Sequence, residues 1–163
     1  MNVTELITHY ADYDQWANTR LVDRLMREPD AVLDAPVKSS FPSMRDTLMH
    51  IRNAEHVWLQ RLLGLQHNWP AEADSSLAML LKHNELLVTH VRSLDGPALD
   101  RICTYNDLRG HAHEQPVWQM LMHCFNHSSY HRGQVITMMR ALDLSDVPAT
   151  DLIVYQRSLL RKA

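Results

Sequence analysis

The apolar residues of this chain recur every three or four positions over most of its length, which is the period of amphipathic α-helices. Serine, aspartate, glycine and proline mark where each apolar run begins or ends. The predicted helices run from Thr4 to Arg27, from an N-cap at Ser43 to Gly64, from Leu77 to Leu94 after a cap within 74–76, from Pro116 to Leu142, and over 151–160 after a cap at Thr150.

The segment 101–116 breaks this period, and the alternation around Asn106 to Gly110 predicts a small β-hairpin before the fourth long helix. Four long helices with one apolar stripe each are typical of an all-α four-helix bundle, here with a short C-terminal helix. The connections after the first and third long helices are long enough for crossovers, so a simple up-down order is not required. We expect one domain over residues 1–163.

Composition narrows the class of protein. Of the 163 residues 45% are hydrophobic, and the formal net charge is −3, so nothing favours nucleic acid as a partner. No run approaches the roughly 18 apolar residues of a membrane span, and the first residues lack the basic and apolar regions of a signal peptide. The two cysteines, Cys103 and Cys124, make no disulfide framework. We therefore expect a soluble, cytoplasmic protein with reduced thiols and no membrane partner.

Three of the eleven histidines stand four positions apart on the fourth long helix, at His123, His127 and His131. Side chains at this spacing lie on one helix face, so two imidazoles can converge on one metal ion. At 100° per residue, His131, His127 and His123 lie about 30°, 70° and 110° from the centre of the apolar stripe, so His127 and His131 are the inward pair. Such a pair also arises by chance, but a buried imidazole without a partner is costly.

A tetrahedral metal site needs a third protein ligand and, for catalysis, an open position. Five histidines on other helices are candidates for that ligand, and periodicity does not choose among them. His50 lies off the main apolar stripe of the second long helix, so its spacing marks it only as a flank residue. The candidates are His9, His50, His56, His83 and His90.

Four segments of the chain resemble the DinB-like, or YfiT-like, family of small metal-binding bundles. They are YDQWANTRLVDRL, SFPSMRDTLMHIRNAEHVWLQRLLG, HCFNHSSYHRGQVITMMRAL and DLIVYQR. The resemblance is collinear and covers nearly the whole chain. Its most specific part is the string HSSYHRGQ, which begins at His127, together with a lone His50 after SMRDTLM.

The resemblance implies an up-down-down-up bundle in which His50, His127 and His131 bind a divalent metal ion, zinc or nickel. His123 is then expected beside the ligands without binding. The resemblance also implies a homodimer and, in some branches, metal-assisted transfer or isomerisation with a low-molecular-weight thiol such as bacillithiol or mycothiol. Many members of the family have no assigned reaction.

Two functions remain open at this point. One is a metal-dependent enzyme, a thiol-dependent transferase or a hydrolase, that acts on a small molecule. The alternative is a non-catalytic, dimeric stress protein that binds a metal or a ligand. No residue of the chain is singled out as catalytic. Cys124 lies on the apolar stripe and is interpreted as an inert packing thiol, so a thiol nucleophile would come from the cofactor.

Ligating imidazoles usually donate their second nitrogen to a carboxylate or a carbonyl. Asp46 and Glu55 could serve as such partners of His50, although both are also read as solvated helix charges. Gln134 and Asn126 are the candidate polar neighbours on the fourth long helix.

The remaining residues of interest have structural interpretations. Tyr130 is interpreted as an aromatic packing contact and Arg132 as half of a surface or dimer ion pair, with a catalytic role as the alternative to both. Trp69, in HNWPAE, either borders the mouth of the site or packs elsewhere. Core or dimer packing is expected of the helical tryptophans Trp16, Trp58 and Trp118.

Overall fold

The computed structural model describes residues 2–107 and 109–161 and contains every predicted helix. Four long helices form the bundle: α1 (Val3–Leu25), α3 (Met44–Leu63), α4 (Leu77–Arg92) and α6 (Val117–Ala141). The short elements are α2 (Asp30–Leu33), α5 (Gly96–Asp100), β1 (Ile102–Asn106), β2 (Ala112–Pro116) and α7 (Leu152–Leu160). The sequence had not predicted α2 and α5, which are too short to show a period.

Capping residues explain where the predicted helix bounds agree with the structure. The Ser43 side chain accepts a hydrogen bond from the backbone N–H of Asp46 at the start of α3, and Gly64 ends that helix with φ 67°, a conformation that glycine adopts without strain. The predicted cap at Thr150 is wrong. Asp151 is the N-cap of α7, and the Thr150 carbonyl instead accepts a hydrogen bond from the Tyr13 hydroxyl at 2.8 Å.

The predicted hairpin is confirmed. β1 pairs with β2 in antiparallel register, from Ile102 opposite Pro116 to Asn106 opposite Ala112. The segment from which the hairpin was predicted lies at its turn, where Gly110 takes φ 86°; Leu108 is outside the described residues.

The apolar core forms two clusters at opposite ends of the bundle, and their membership gives the helix directions. In one cluster the beginnings of α1 and α6 pack against the ends of α3 and α4. In the other the ends of α1 and α6 pack against the beginnings of α3 and α4. Thus α1 and α6 run one way and α3 and α4 run the other. This is the up-down-down-up order that the resemblance implied.

The helix neighbours differ from the order along the chain. α3 packs against α4 and α6, and α1 packs against the same two helices. Because α3 and α4 are parallel neighbours, the connection 65–76 must run along the bundle. Its twelve residues can span about 40 Å, more than the roughly 24 Å length of α4. The full-length crossover therefore follows the second long helix, whereas the sequence had suggested crossovers after the first and third.

A buried polar layer separates the two apolar clusters, with members from all four long helices. Its centre is an ion pair between Arg132 Nη1 and Asp14 Oδ1, both almost fully buried. The predicted surface or dimer ion pair of Arg132 is therefore wrong, because Arg132 continues the inward stripe of α6 through Cys124 and Ser128. The members of this polar layer are Asp14, Asn18, Glu55, Asn84, Ser128 and Arg132.

Glu55 belongs to the polar layer and contacts neither solvent nor a candidate ligand. Its carboxyl oxygens accept hydrogen bonds from Asn18 Nδ2 at 3.2 Å, Asn84 Nδ2 at 3.0 Å and Ser128 Oγ at 3.0 Å. Burial, and then the neighbouring charge of Asp14, raises the pKa of Glu55 well above its usual range. Both sequence interpretations of Glu55, a histidine partner and a solvated charge, are wrong.

Across residues 2–107 and 109–161, no helix combines the length and the apolar character that crossing a bilayer requires.

The helical tryptophans differ in their packing. Trp16 packs against Tyr13 and Tyr155, and Trp58 packs against Tyr105, as expected of internal contacts. Trp118 is partly exposed.

Candidate metal centre

The neighbouring helices α3 and α6 bring three imidazoles together. His50 Nε2 lies 3.0 Å from His127 Nε2, and His131 Nε2 lies 3.1 Å from the same atom. One ring nitrogen from each of the three lies within 4.8 Å of the others, so the group could hold a metal ion. These are the three residues that the sequence singled out through the family resemblance.

The nitrogen separations fit a metal ion better than they fit hydrogen bonds. Tetrahedral zinc with bonds of 2.0–2.1 Å places its ligand nitrogens about 3.3 Å apart, close to the observed 3.0 and 3.1 Å. A neutral imidazole nitrogen either donates one hydrogen bond or accepts one. His127 Nε2 faces two other ring nitrogens at once, so hydrogen bonding alone leaves the group poorly satisfied, whereas a cation suits converging lone pairs.

The surroundings keep the His50 and His127 rings neutral, which is the ligand form of histidine. Burial, and then the imidazole of His131, lowers the pKa of His50 to about 4. Burial, followed by His131, His50 and His123, lowers the pKa of His127 to about 3. Both rings are therefore unprotonated at neutral pH.

Gln134 orients one of the three rings. Its Oε1 accepts a hydrogen bond from His131 Nδ1 at 2.8 Å, and its Nε2 donates to Ser40 Oγ at 2.7 Å. With its proton on Nδ1, His131 presents the Nε2 lone pair to the other two imidazoles. Gln134 is thus a polar neighbour of the site, as expected. In contrast, the buried Nδ1 of His127 has no hydrogen-bond partner among the described residues.

The other suggested polar neighbours lie elsewhere. Asp46 is part of the α3 cap, where its carboxylate accepts a hydrogen bond from Ser43 Oγ at 2.6 Å. Asn126 is exposed on α6. Neither interpretation as a histidine partner is correct, because the Asp46 carboxylate is engaged with the Ser43 cap and Asn126 faces solvent.

Two aromatic rings from loops cover His50. The Phe41 ring centroid lies 4.3 Å from that of His50 and 5.6 Å from that of His131. The Trp69 ring lies edge-on to His50 at 5.5 Å and remains 46% exposed. Trp69 therefore borders the site mouth, one of its two predicted placements. Phe41 was not identified from the sequence, although its place just before the α3 cap puts it close to His50.

His123 lies beside the group without joining it. Its ring centroid is 6.1 Å from that of His127 and 5.0 Å from that of Trp58. This matches the expectation that, of the three histidines on α6, His123 lies farthest from the apolar stripe of the helix.

The other histidines that were candidates for the third metal ligand lie elsewhere in the bundle. The His9 ring packs against Tyr155 at 5.3 Å. His56 and His83 lie 5.3 Å apart, and His83 contacts the Glu72 carboxylate. His90 is half-buried on α4.

Two residues near the three rings have packing roles. Tyr130 meets the His131 ring edge-on at 5.0 Å but is 63% exposed. Cys124 is fully buried, and burial raises the pKa of its thiol well above the usual range. The interpretation of Cys124 as a packing residue is confirmed by its place in the core, and its lack of reactivity stays a prediction.

A cavity of about 510 Å³ lies between the end of α3, the β-hairpin and the beginning of α6. It is lined in part by Trp58 and His123, and His123 is one helical turn from His127. His50, His127 and His131 are not among its lining residues.

The fold and the site together define a four-helix bundle of crossed topology with a three-histidine group able to bind a metal. The chain belongs to the DinB family, whose profile matches residues 1–158.

Individual proteins support this placement. The protein DinB of Bacillus subtilis (strain 168) is 23% identical over 157 residues, with 88% of this chain and 90% of that protein covered. YfiT from Bacillus subtilis, a probable metal-dependent hydrolase with an unusual four-helix bundle topology, shares the fold with a TM-score of 0.64 at 16% identity, covering 86% of this chain and 90% of YfiT. The DinB-like YjoA of the same species gives 0.66 at 18% identity, covering 90% and 98%.

Proposed function

We propose that this protein is a metal-dependent enzyme in which His50, His127 and His131 hold one divalent ion, zinc or nickel, and which acts on a small molecule. The observation that carries the proposal is the convergence of three Nε2 atoms, with separations of 3.0 and 3.1 Å about His127. The description of YfiT, which shares the fold, as a probable metal-dependent hydrolase supports it.

The number of ligands favours a catalytic site over a structural one. Structural zinc sites are closed by four protein ligands, whereas three leave a position for water or substrate. When bound, such an ion polarises a carbonyl and makes water or a thiol nucleophilic at neutral pH. Gln134 holds the His131 ring in the ligating orientation, and Phe41 and Trp69 limit solvent access on the His50 side.

The chain's own thiols are not placed to act as nucleophiles. Cys124 is fully buried in the core, and the Cys103 thiol donates to the Arg61 carbonyl at 3.3 Å. The nucleophile is therefore external, either water, which makes the protein a hydrolase, or a low-molecular-weight thiol, which makes it a transferase. The likeness to YfiT favours water, and the sequence resemblance to thiol-using branches favours the thiol.

The sequence-based expectation of a cytoplasmic homodimer is part of this proposal. The homodimer rests on the family resemblance alone, whereas the cytoplasmic location rests on the composition and the N-terminal residues. Sedimentation of the purified protein tests the homodimer, with the mass of a dimer as the expected result.

Turnover by the metal-loaded and the metal-free protein tests the enzyme proposal. The two reactions to follow are hydrolysis of p-nitrophenyl acetate and conjugation of bacillithiol to 1-chloro-2,4-dinitrobenzene. We expect one of them to be faster than in buffer, to stop when a chelator removes the metal, and to be absent in His127→Ala. His9→Ala is the matched control because it removes a histidine that packs against Tyr155, away from the three rings and the cavity. Metal-loaded protein without turnover in either assay would instead support the non-catalytic binding protein.

A further inference from the structure

The cavity lined in part by Trp58 and His123 contains a buried cation, Arg61, and we name it the Arg61 cavity. It lies between α3, the β-hairpin and α6. His123 connects it to the histidine group, since its ring is 6.1 Å from that of His127. The lining residues are Trp58, Arg61, Tyr105, Asp107, Arg109, His113, Gln115 and His123.

The Arg61 guanidinium is fixed in place. Its central carbon lies 4.6 Å from the Trp58 ring centroid and 4.8 Å from the Tyr105 ring centroid. Both rings make cation–π contacts with it, and they lie next to each other, with their centroids 5.4 Å apart. Nη2 donates to the Asn106 carbonyl at 3.0 Å, and the buried Nε has no partner among the described residues. The residue is 9% exposed. A ligand could meet only the part of the guanidinium that the two rings and Asn106 do not cover.

Within the described residues the Arg61 guanidinium has no carboxylate at contact distance, and the charge of Asp107 acts on it only from farther away in the same cavity. The ion pairs formed among residues 2–107 and 109–161 do not include Arg61. Arginine keeps its proton in proteins, and a buried charge without a partner is costly. A ligand anion would relieve that cost.

Asp107 lines the same cavity but is already occupied. Its carboxylate accepts hydrogen bonds from the backbone N–H groups of Arg109 at 2.8 Å and His111 at 3.0 Å, and it lies 3.2 Å from His113 Nε2. These contacts hold the pKa of Asp107 well below its usual range. The cavity therefore offers Arg61 and Arg109 as cations against one carboxylate that is bound elsewhere.

We propose that the Arg61 cavity binds a carboxylate group of the substrate, which narrows the substrate to a small organic acid. This inference rests on the proposed function, because the reacting end of the molecule would lie at the three histidines. A carboxylate is preferred over a tetrahedral anion because the N–H donors of a guanidinium lie in one plane, the arrangement that matches the two oxygens of a carboxylate.

The distance between Arg61 and the three histidines sets the length that the substrate must have. Arg61 and His50 are separated by about 16 Å along α3, and His123 bridges part of this distance. The carboxylate and the reacting group therefore lie at opposite ends of an elongated molecule.

Binding of three probes to the whole protein tests this inference. Phenylacetate carries the carboxylate, phenylacetamide is its neutral counterpart, and benzylphosphonate is the tetrahedral anion. The indole N–H signal of Trp58, identified from the spectrum of Trp58→Phe, reports occupancy by nuclear magnetic resonance. We expect phenylacetate to bind about tenfold or more tightly than phenylacetamide. Equal affinity of these two, or tighter binding of the phosphonate, would overturn the assignment.

Substitutions of Arg61 test whether this residue is the one that binds the carboxylate. In Arg61→Gln the affinity for phenylacetate should fall about tenfold or more, and Arg61→Lys, which retains the charge, should keep part of it. Arg157→Gln removes the same charge from the exposed face of α7 and should bind as the parent does. Equal loss in Arg61→Gln and Arg157→Gln would contradict the inference, since net charge alone would then explain it.

The metal content of each sample separates this inference from the proposed function. The titrations are run on both metal-free and metal-loaded protein. Failure of carboxylate binding in metal-loaded protein overturns the Arg61 inference and leaves the metal site standing. Absence of metal from the parent after reconstitution overturns the proposed function, whatever phenylacetate does.

Discussion

The Nε2 atom of His50 lies 3.0 Å from the Nε2 atom of His127, although the two residues are 77 positions apart in the chain. The contact exists because the bundle is not wound in chain order: α3 and α6 are neighbours, whereas α1 and α3 are joined across the bundle. The up-down-down-up topology is therefore what completes the three-histidine group. A change that disturbs the packing of α3 on α6 will disturb the site.

Gln134 should set the metal affinity without being a ligand. Gln134→Leu removes the acceptor that holds His131 Nδ1, so the ring is free to turn and to change tautomer. Losing such a partner typically lowers metal affinity about 10- to 100-fold. Competition with a zinc-binding dye measures it.

The matched control for that experiment is Asn126→Leu, an exposed amide on the same helix. Its metal affinity should equal that of the parent. Equal affinities of Gln134→Leu and the parent would show that the hydrogen bond to His131 is not important for metal binding.

Breaking the buried ion pair between Arg132 and Asp14 should lower the stability of the protein far more than breaking an ion pair on the surface. Arg132→Met leaves the Asp14 carboxylate buried without its cation, which should lower the free energy of unfolding by about 3–5 kcal/mol. Urea denaturation followed by circular dichroism measures this loss.

A surface ion pair gives the comparison. Arg92→Met breaks the pair with Asp12, whose members are 49% and 32% exposed, and should cost less than about 1 kcal/mol. The double variant Asp14→Asn/Arg132→Met should recover part of the loss. Equal effects of the two arginine substitutions would contradict the buried placement of Arg132.

Glu55 should make stability depend on pH in a defined direction. Because its pKa in the folded protein is raised well above the ordinary 4.5, the folded state keeps a proton that the unfolded state loses as the pH rises past that value. Stability from this group is therefore complete below pH 4.5 and decreases as the pH rises toward the raised pKa. Glu55→Gln mimics the protonated form and removes the dependence.

The measurement is the difference in unfolding free energy between Glu55→Gln and the parent, taken from pH 5 to pH 8. We expect the unfolding free energy of Glu55→Gln to increase relative to that of the parent as the pH rises. Glu85→Gln, on the exposed face of α4, should show no such trend. A constant difference for Glu55→Gln would contradict a raised pKa.

Both cysteines should resist alkylation in the folded protein. Cys103 and Cys124 are buried, and the raised pKa of Cys124 leaves little thiolate. Iodoacetamide should modify neither at neutral pH until the protein is unfolded, as followed by mass spectrometry. Ser75→Cys, in the exposed crossover, is the positive control. Rapid modification of Cys124 would reopen the question of an internal thiol nucleophile.

The sequence predicted the helices and the inward histidine pair because both follow from a single helical period. It did not select His50 by spacing, since that residue lies on a flank and its meeting with α6 depends on helix order. Only the family resemblance selected it. The sequence misplaced Glu55 and Arg132 for the same reason: charged residues are buried here by partners on other helices. Ser128 and Arg132 do continue the inward stripe through Cys124, and that pattern was the available signal for a buried polar layer.

The metal content of untagged protein reconstituted with zinc or nickel tests the central claim most directly. By mass spectrometry we predict about one ion per chain in the parent and in His123→Ala, and near-complete loss in His50→Ala, His127→Ala and His131→Ala. Circular dichroism shows that each variant is folded. Retention of the metal at the parent level by His50→Ala and His127→Ala, or a parent that takes up no ion, would contradict the three-histidine site.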